Sequence, residues 1–69
     1  MEVDVQRLRE LRQERALALR ELAELSGVSL NTIWRIEANR QGAHPQTIRK
    51  LAAALNVHPR ELVKGVGDE

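Results

Sequence analysis

Apolar residues recur along this chain at the spacing of helices. Val5, Leu8 and Leu11 share one helical stripe, extended by the stems of Arg12 and Arg15, and Asp4 stands before them as an N-cap. This predicts a first helix over about Asp4 to Arg15. Leu22, Ala23 and Leu25 predict a second from Leu19 to Ser26, with Gly27 following it, where a left-handed residue ends a helix without strain. Ser29 is a good N-cap for a third helix that ends near Ala38 and Asn39. Its inward residues are Ile33 and Ile36, with Val28 just before it. Pro45 suits the first position of a fourth helix, whose stripe is Ile48, Leu51, Ala52 and Leu55. Val57, His58 and Pro59 repeat that device and predict a short fifth helix that buries Leu62 and Val63 and ends near Lys64 and Gly65. No strand-like alternation interrupts the pattern. The expected fold is all-α, a compact five-helix bundle with its core over about residues 5–64 and a frayed tail from Gly65 to Glu69.

The stretch Leu19 to Ile36 carries the most information. Ala23 lies mid-way along the second helix, where a small side chain lets the third approach closely. Gly27 comes four residues later and can adopt the positive φ that a tight turn requires. Val28, Ile33 and Ile36 then point back to the core. That leaves Leu30, Asn31, Trp34 and Arg35 on the outer face of the third helix, the layout of two crossed helices of which the second can enter a DNA groove.

Composition narrows the alternatives. Sixty-nine residues suit one domain, which at this size buries only about 60% of its unfolded surface. There is no cysteine, which excludes disulfides and thiolate metal sites, and His44 and His58 have no obvious partner ligands, so no metal or other cofactor is expected. Met1 to Glu10 is charged throughout and no apolar run approaches a membrane span, so a soluble, cytoplasmic protein is expected. Net charge is only +1, but between Leu30 and Lys50 the cations Arg35, Arg40, Arg49 and Lys50 face Glu37 alone. The single aromatic residue, Trp34, argues against single-strand binding by base stacking. No nucleophile–base set, inward carboxylate pair or phosphate-cradling glycine loop suggests an enzyme, and no small-molecule effector site is expected in so small a bundle.

Over Leu8 to Val63 the chain resembles, without a gap, the helix-turn-helix regulators of the Cro-type phage-repressor, or xenobiotic-response-element, family. The resemblance is carried by Leu22 to Ser29, Thr32 to Glu37, Thr47 to Leu55 and Val57 to Leu62. It implies a lambda-repressor-like domain that binds operator DNA, usually as a dimer, to regulate and most often repress transcription. It also implies base contacts from Leu30, Asn31, Thr32 and Arg35. The chemistry agrees: arginine can bridge guanine O6 and N7, asparagine can bridge adenine N6 and N7, and Leu30 can meet only an apolar feature such as a thymine methyl. The other reading of Asn31 and Arg35 is an ordinary solvated helix face.

Phosphate contacts are implied for Asn39, Arg40, Gln46 and Thr47, the last of which could equally cap or pack locally. The family commonly places Ser-Gln where this chain has Ala18-Leu19, so a side-chain cap and a polar contact are lost and Arg20 must serve that edge. Asn39 stands where the family favours glycine, and asparagine tolerates the left-handed conformation. Arg12 and Glu37 match a family ion pair that links the first helix to the third, a structural role. Trp34 has three readings: packing along the helix flank against the Asn39–His44 loop, contact with sugar and phosphate, or a protein interface. His44 and His58 read as loop residues or weak caps, and a protonated His44 would strengthen a phosphate contact.

The expected partner is double-stranded DNA, bound as a homodimer formed in solution or only on DNA. The apolar residues left over by the helix pattern, Leu62, Val63 and Val66, suggest the dimer surface. The competing reading is a protein-interaction module or antitoxin-like partner on the same fold, which Leu19, Leu30 and Trp34 on one side would favour.

Overall fold

The structure, a computed structural model, describes residues 1–64. Four α-helices follow one another: α1 Val5–Glu14, α2 Leu19–Ser26, α3 Leu30–Glu37 and α4 Pro45–Leu55, with a single 3-10 turn over Pro59–Leu62. Asp4 caps α1 through its carboxylate, which accepts from the Arg7 N–H at 3.1 Å. Ser29 caps α3 in the same way, accepting from Thr32 N–H at 3.1 Å. Ala18, which starts α2, has no side chain to accept with. Only the reciprocal half of a capping box remains there, the Glu21 carboxylate accepting from Ala18 N–H at 2.7 Å.

Each helix ends on a left-handed residue. Gly27 (φ 77°) closes α2, its N–H donating to Ala23. The other three closures use Ala16, Asn39 and Asn56, with φ of 55°, 59° and 59°. In each the left-handed residue and the one after it return their N–H groups to the end of the helix. Ala16 and Leu17 donate to Gln13 and Arg12, Asn39 and Arg40 to Ile36 and Arg35, and Asn56 and Val57 to Ala53 and Ala52. The doubled bond satisfies carbonyls that would otherwise be orphaned and sharply reverses the chain.

Leu8, Leu22, Ile33, Ile36, Leu51, Leu55 and Leu62 are fully buried and form the centre of the core. Helix α2 packs on both α3 and α4, while α1 packs on α3 and the 3-10 turn. Leu25, expected to point inward, is 62% exposed. At about 100° per residue, Leu19, Ala23 and Ser26 all fall on one side of Leu22 and Leu25 falls on the other, outside the stripe.

The expected fifth helix is not formed as an α-helix. Glu61 N–H donates to His58 O in a 3-10 pattern, and the chain is already extended at Val63. The competing interaction is a strap made by the first residues. Val3 and Val63 form an antiparallel bridge, in which Asp4 N–H donates to Leu62 O at 2.8 Å and Lys64 N–H to Glu2 O at 3.1 Å. Pairing with the strap draws the chain straight just where a further helical turn would begin. It also buries Val3, to 3% exposure, outside the expected core limits. Leu62 and Val63 are consequently buried in the chain's own core, so they are not spare apolar surface for a dimer, and Val66 lies outside the described residues. The strap reaches further, to the loop before α4: Met1 N donates to Ala43 O and Met1 O accepts from Ala43 N–H.

A largely buried ion pair joins α1 to α3. Arg12 donates to both carboxylate oxygens of Glu37, at 2.7 and 3.0 Å, and its third nitrogen donates to Leu17 O at 2.8 Å. The two side chains are 14% and 8% exposed. By contrast Arg7 and Glu61, 2.9 Å apart, lie at the surface. The hydrogen bond that Arg7 donates to Glu61 raises the Arg7 pKa, against an opposing desolvation and with a further contribution from the Glu61 charge.

Glu37→Gln is expected to lower unfolding stability by about 3 kcal/mol, because it strands a desolvated cation. Glu61→Gln should shift the urea midpoint far less. Equal shifts from the two variants would count against this account. Gly42→Ala tests the strap. A Cβ there would collide with Met1 O, and the expected cost is about 1–3 kcal/mol in the same assay, as for other overpacked positions.

Candidate nucleic-acid interface

Helix α3 divides its residues cleanly. Ile33 and Ile36 are fully buried, while Asn31 and Arg35 are exposed and Leu30 and Trp34 are 41% and 49% exposed. Leu30, Asn31, Trp34 and Arg35 therefore share the outward side. Thr32 differs from them. It is half-buried and its hydroxyl accepts from Ser29 Oγ at 2.8 Å, which enlists it in the helix cap.

Two surface hollows flank α3. One, at the start of α2, is lined by Leu19, Arg20, Leu30, Asn31 and Trp34. The other, at the start of α4, brings Thr32 together with Gln41, His44 and Thr47. Arg20 thus borders the outward face of α3 on one side, and His44 and Thr47 on the other. His44 precedes α4 without a side-chain cap bond, and Pro45 has no N–H, so the first turn of α4 presents uncapped backbone donors from Gln46 and Thr47. Uncapped donors at the positive end of a helix dipole favour an anion.

Asn39 and Arg40 occupy the reversal after α3. The left-handed Asn39 turns the chain back, so that Arg40 N–H reaches Arg35 O at 2.9 Å. This return lays the Arg40 guanidinium over the Trp34 ring, 5.6 Å from its centroid, a cation–π contact that contributes about 0.5–1 kcal/mol at an exposed site. Packing of Trp34 against the Asn39–His44 loop was one of its three sequence readings, but Arg40 was not singled out as the partner. The signal available was the left-handed Asn39, which implies that the side chain after it folds back over the last turn.

Cations are paired unevenly along the chain. Arg7, Arg9, Arg12, Arg15 and Lys64 lie within 4.0 Å of carboxylates, most of them along α1. Among the described residues Arg20, Arg35, Arg40, Arg49, Lys50 and Arg60 meet no carboxylate at that range. A net charge of +1 thus conceals paired cations on α1 and unpaired ones on α2, α3, the following turn, α4 and the 3-10 turn. No helix among the described residues is long and apolar enough to cross a membrane.

Comparison with known proteins agrees with this geometry. A model of the helix-turn-helix family matches residues 8–62. The HTH-type transcriptional regulator RghRB of Bacillus subtilis is 46% identical over 63 residues, which is 90% of this chain and 45% of that protein. The HTH-type transcriptional repressor RghR of the same organism is 48% identical over 58 residues, 83% of this chain and 43% of that one. The chain thus spans somewhat less than half the length of these relatives. Among solved structures, the restriction-modification controller protein C.AhdI of Aeromonas hydrophila superposes with a TM-score of 0.79 at 40% identity, covering 83% of this chain and 86% of that one. A transcriptional regulator from Vibrio cholerae gives a TM-score of 0.78 at 30% identity, covering 83% of this chain and 32% of its own. The crossed pair α2–α3 and its buried framework therefore identify the chain as a member of the helix-turn-helix family of the Cro and xenobiotic-response-element type.

Proposed function

We propose that this chain is the DNA-reading domain of a transcriptional repressor, which lays α3 in the major groove of an operator. The observation that carries this reading is the outward face of α3: Asn31 and Arg35 stand exposed on it, and Arg20 and Arg40, which meet no carboxylate within 4.0 Å, flank it. In this reading Asn31 and Arg35 meet base edges, with Leu30 and Thr32 beside them. Arg20, Arg40, the indole of Trp34, His44, and the α4 start at Gln46 and Thr47 hold the flanking phosphates, joined by Asn39 in the turn. Names of relatives that include a repressor and a controller protein support regulation of transcription. Two copies on half-sites about 34 Å apart are proposed, because one short helix reads few base pairs. Their contact would use a surface other than Leu62 and Val63.

Selection from a random duplex pool supplies the site for testing. Affinity for it should fall steeply with added salt, since bound cations displace counterions from the phosphates. A salt-insensitive complex, or none at low ionic strength, would overturn the reading. Arg35→Ala should relax preference at one base pair and cost about 1–3 kcal/mol there. Arg40→Ala should weaken every site alike and reduce the salt slope by about one.

Trp34 supplies an optical check, being the chain's one tryptophan. Its emission should change when duplex is added and also when Arg40→Ala removes the stacked guanidinium. Emission indifferent to duplex would remove Trp34 from the proposed interface.

A further inference from the structure

We propose that the apolar cleft between the starts of α2 and α3 reads the 5-methyl group of a thymine. The inference rests on the duplex-binding reading above and names the base feature that one part of the interface selects. Leu19, Leu30 and Trp34 form the apolar lining, and Arg20 and Asn31 supply its polar members. Leu30 and Trp34 remain about half exposed although the same helix buries Ile33 and Ile36 completely. The fold therefore does not need them for its core. Leu19 is half-buried against that core, which fixes one wall of the cleft.

The identity of the occupant follows from the rim. No carboxylate lines the cleft, and Arg20 has no carboxylate partner among the described residues. An unpaired cation and an exposed amide around apolar walls suit a polyanion that carries a small apolar projection. In the major groove that projection is the thymine methyl; the other three bases present donors and acceptors at their edges. Leu19 and Leu30 can satisfy none of these, and a base edge buried against them would lose its hydrogen bonds to water. The cleft therefore favours thymine by contact and disfavours the alternatives by desolvation.

The test uses the full chain and the selected duplex, with each thymine replaced singly by deoxyuridine, which removes one methyl and keeps the pairing. One thymine in each half-site should show an affinity loss of about fourfold, the value of one buried methyl-sized group. In Leu30→Ala the parent duplex should bind at the weakened level, and the uracil penalty at that position should vanish. Leu30→Met should keep it. Leu25→Ala, an exposed leucine outside the cleft, should leave both affinity and penalty unchanged. Circular dichroism verifies that each variant is folded, and exposure of Leu30 makes that the expected result.

Neutrality of every uracil replacement would overturn the inference, as would a penalty that persists undiminished in Leu30→Ala. Duplex affinity untouched by both Leu19→Ala and Leu30→Ala would remove the cleft from the duplex interface and overturn it too. In all these cases sequence-selective binding survives, so the broader reading stands. Failure to bind any duplex would remove both.

Discussion

Arg12 and Glu37 hold this bundle in register. Arg12 belongs to the last turn of α1, Glu37 to the last turn of α3, and the carbonyl that takes the third hydrogen bond, Leu17, lies just before α2. One guanidinium thus fixes the end of α3 relative to both the helix behind it and the turn that launches α2. Charge in so dry a place is tolerated because each of the three guanidinium nitrogens donates to an acceptor, two of them to the paired carboxylate. An apolar contact could supply similar stability but not similar direction. The outward face of α3 and the start of α2 keep a fixed relation because this planar fork accepts only one arrangement.

Backbone closures do the rest of the positioning. Three helices end in the same doubled hydrogen bond, and each time the chain doubles back at once. At Asn39 that reversal carries Arg40 over Trp34, which converts a flexible surface arginine into one resting on a ring. At Ala16 it delivers Leu17 to Arg12. Alanine has no side-chain hydrogen bond to offset a left-handed backbone, and the Ala16 conformation persists because Leu17 N–H and Leu17 O are both engaged by Arg12.

Much of this was legible beforehand, and the exceptions have a common cause. The stripes of α1, α3 and α4 are set by local periodicity, as are the caps at Asp4 and Ser29 and the turn at Gly27. The residues of the outer α3 face follow from Ile33 and Ile36 alone. What the pattern missed depends on distant pairing. Nothing in Met1 to Asp4 announces a strap, since a lone valine among charges becomes core only when Val63 is opposite it. The same pairing stops the last helix after one 3-10 turn and withdraws Leu62 and Val63 from the surface. Thr32 was legible as part of the α3 start but not as a member of the cap, because Ser29 can cap with or without it. That Trp34 packs against the loop after α3 was one reading of the sequence; that Arg40 is the residue covering it depends on the hand of the turn.

The strap also bears on how the chain reaches this fold. Contacts between α2 and α3 join near neighbours and can form early, whereas the bridge of Val3 with Val63 closes a loop around nearly the whole chain. Loop closure of that length is paid for only once the helices are docked. The strap thus belongs to the late side of the folding barrier. Interactions formed after the barrier govern how slowly a protein comes apart rather than how quickly it assembles. The first four residues are in that sense a kinetic latch, setting the lifetime of the native state while leaving its rate of formation to the helices.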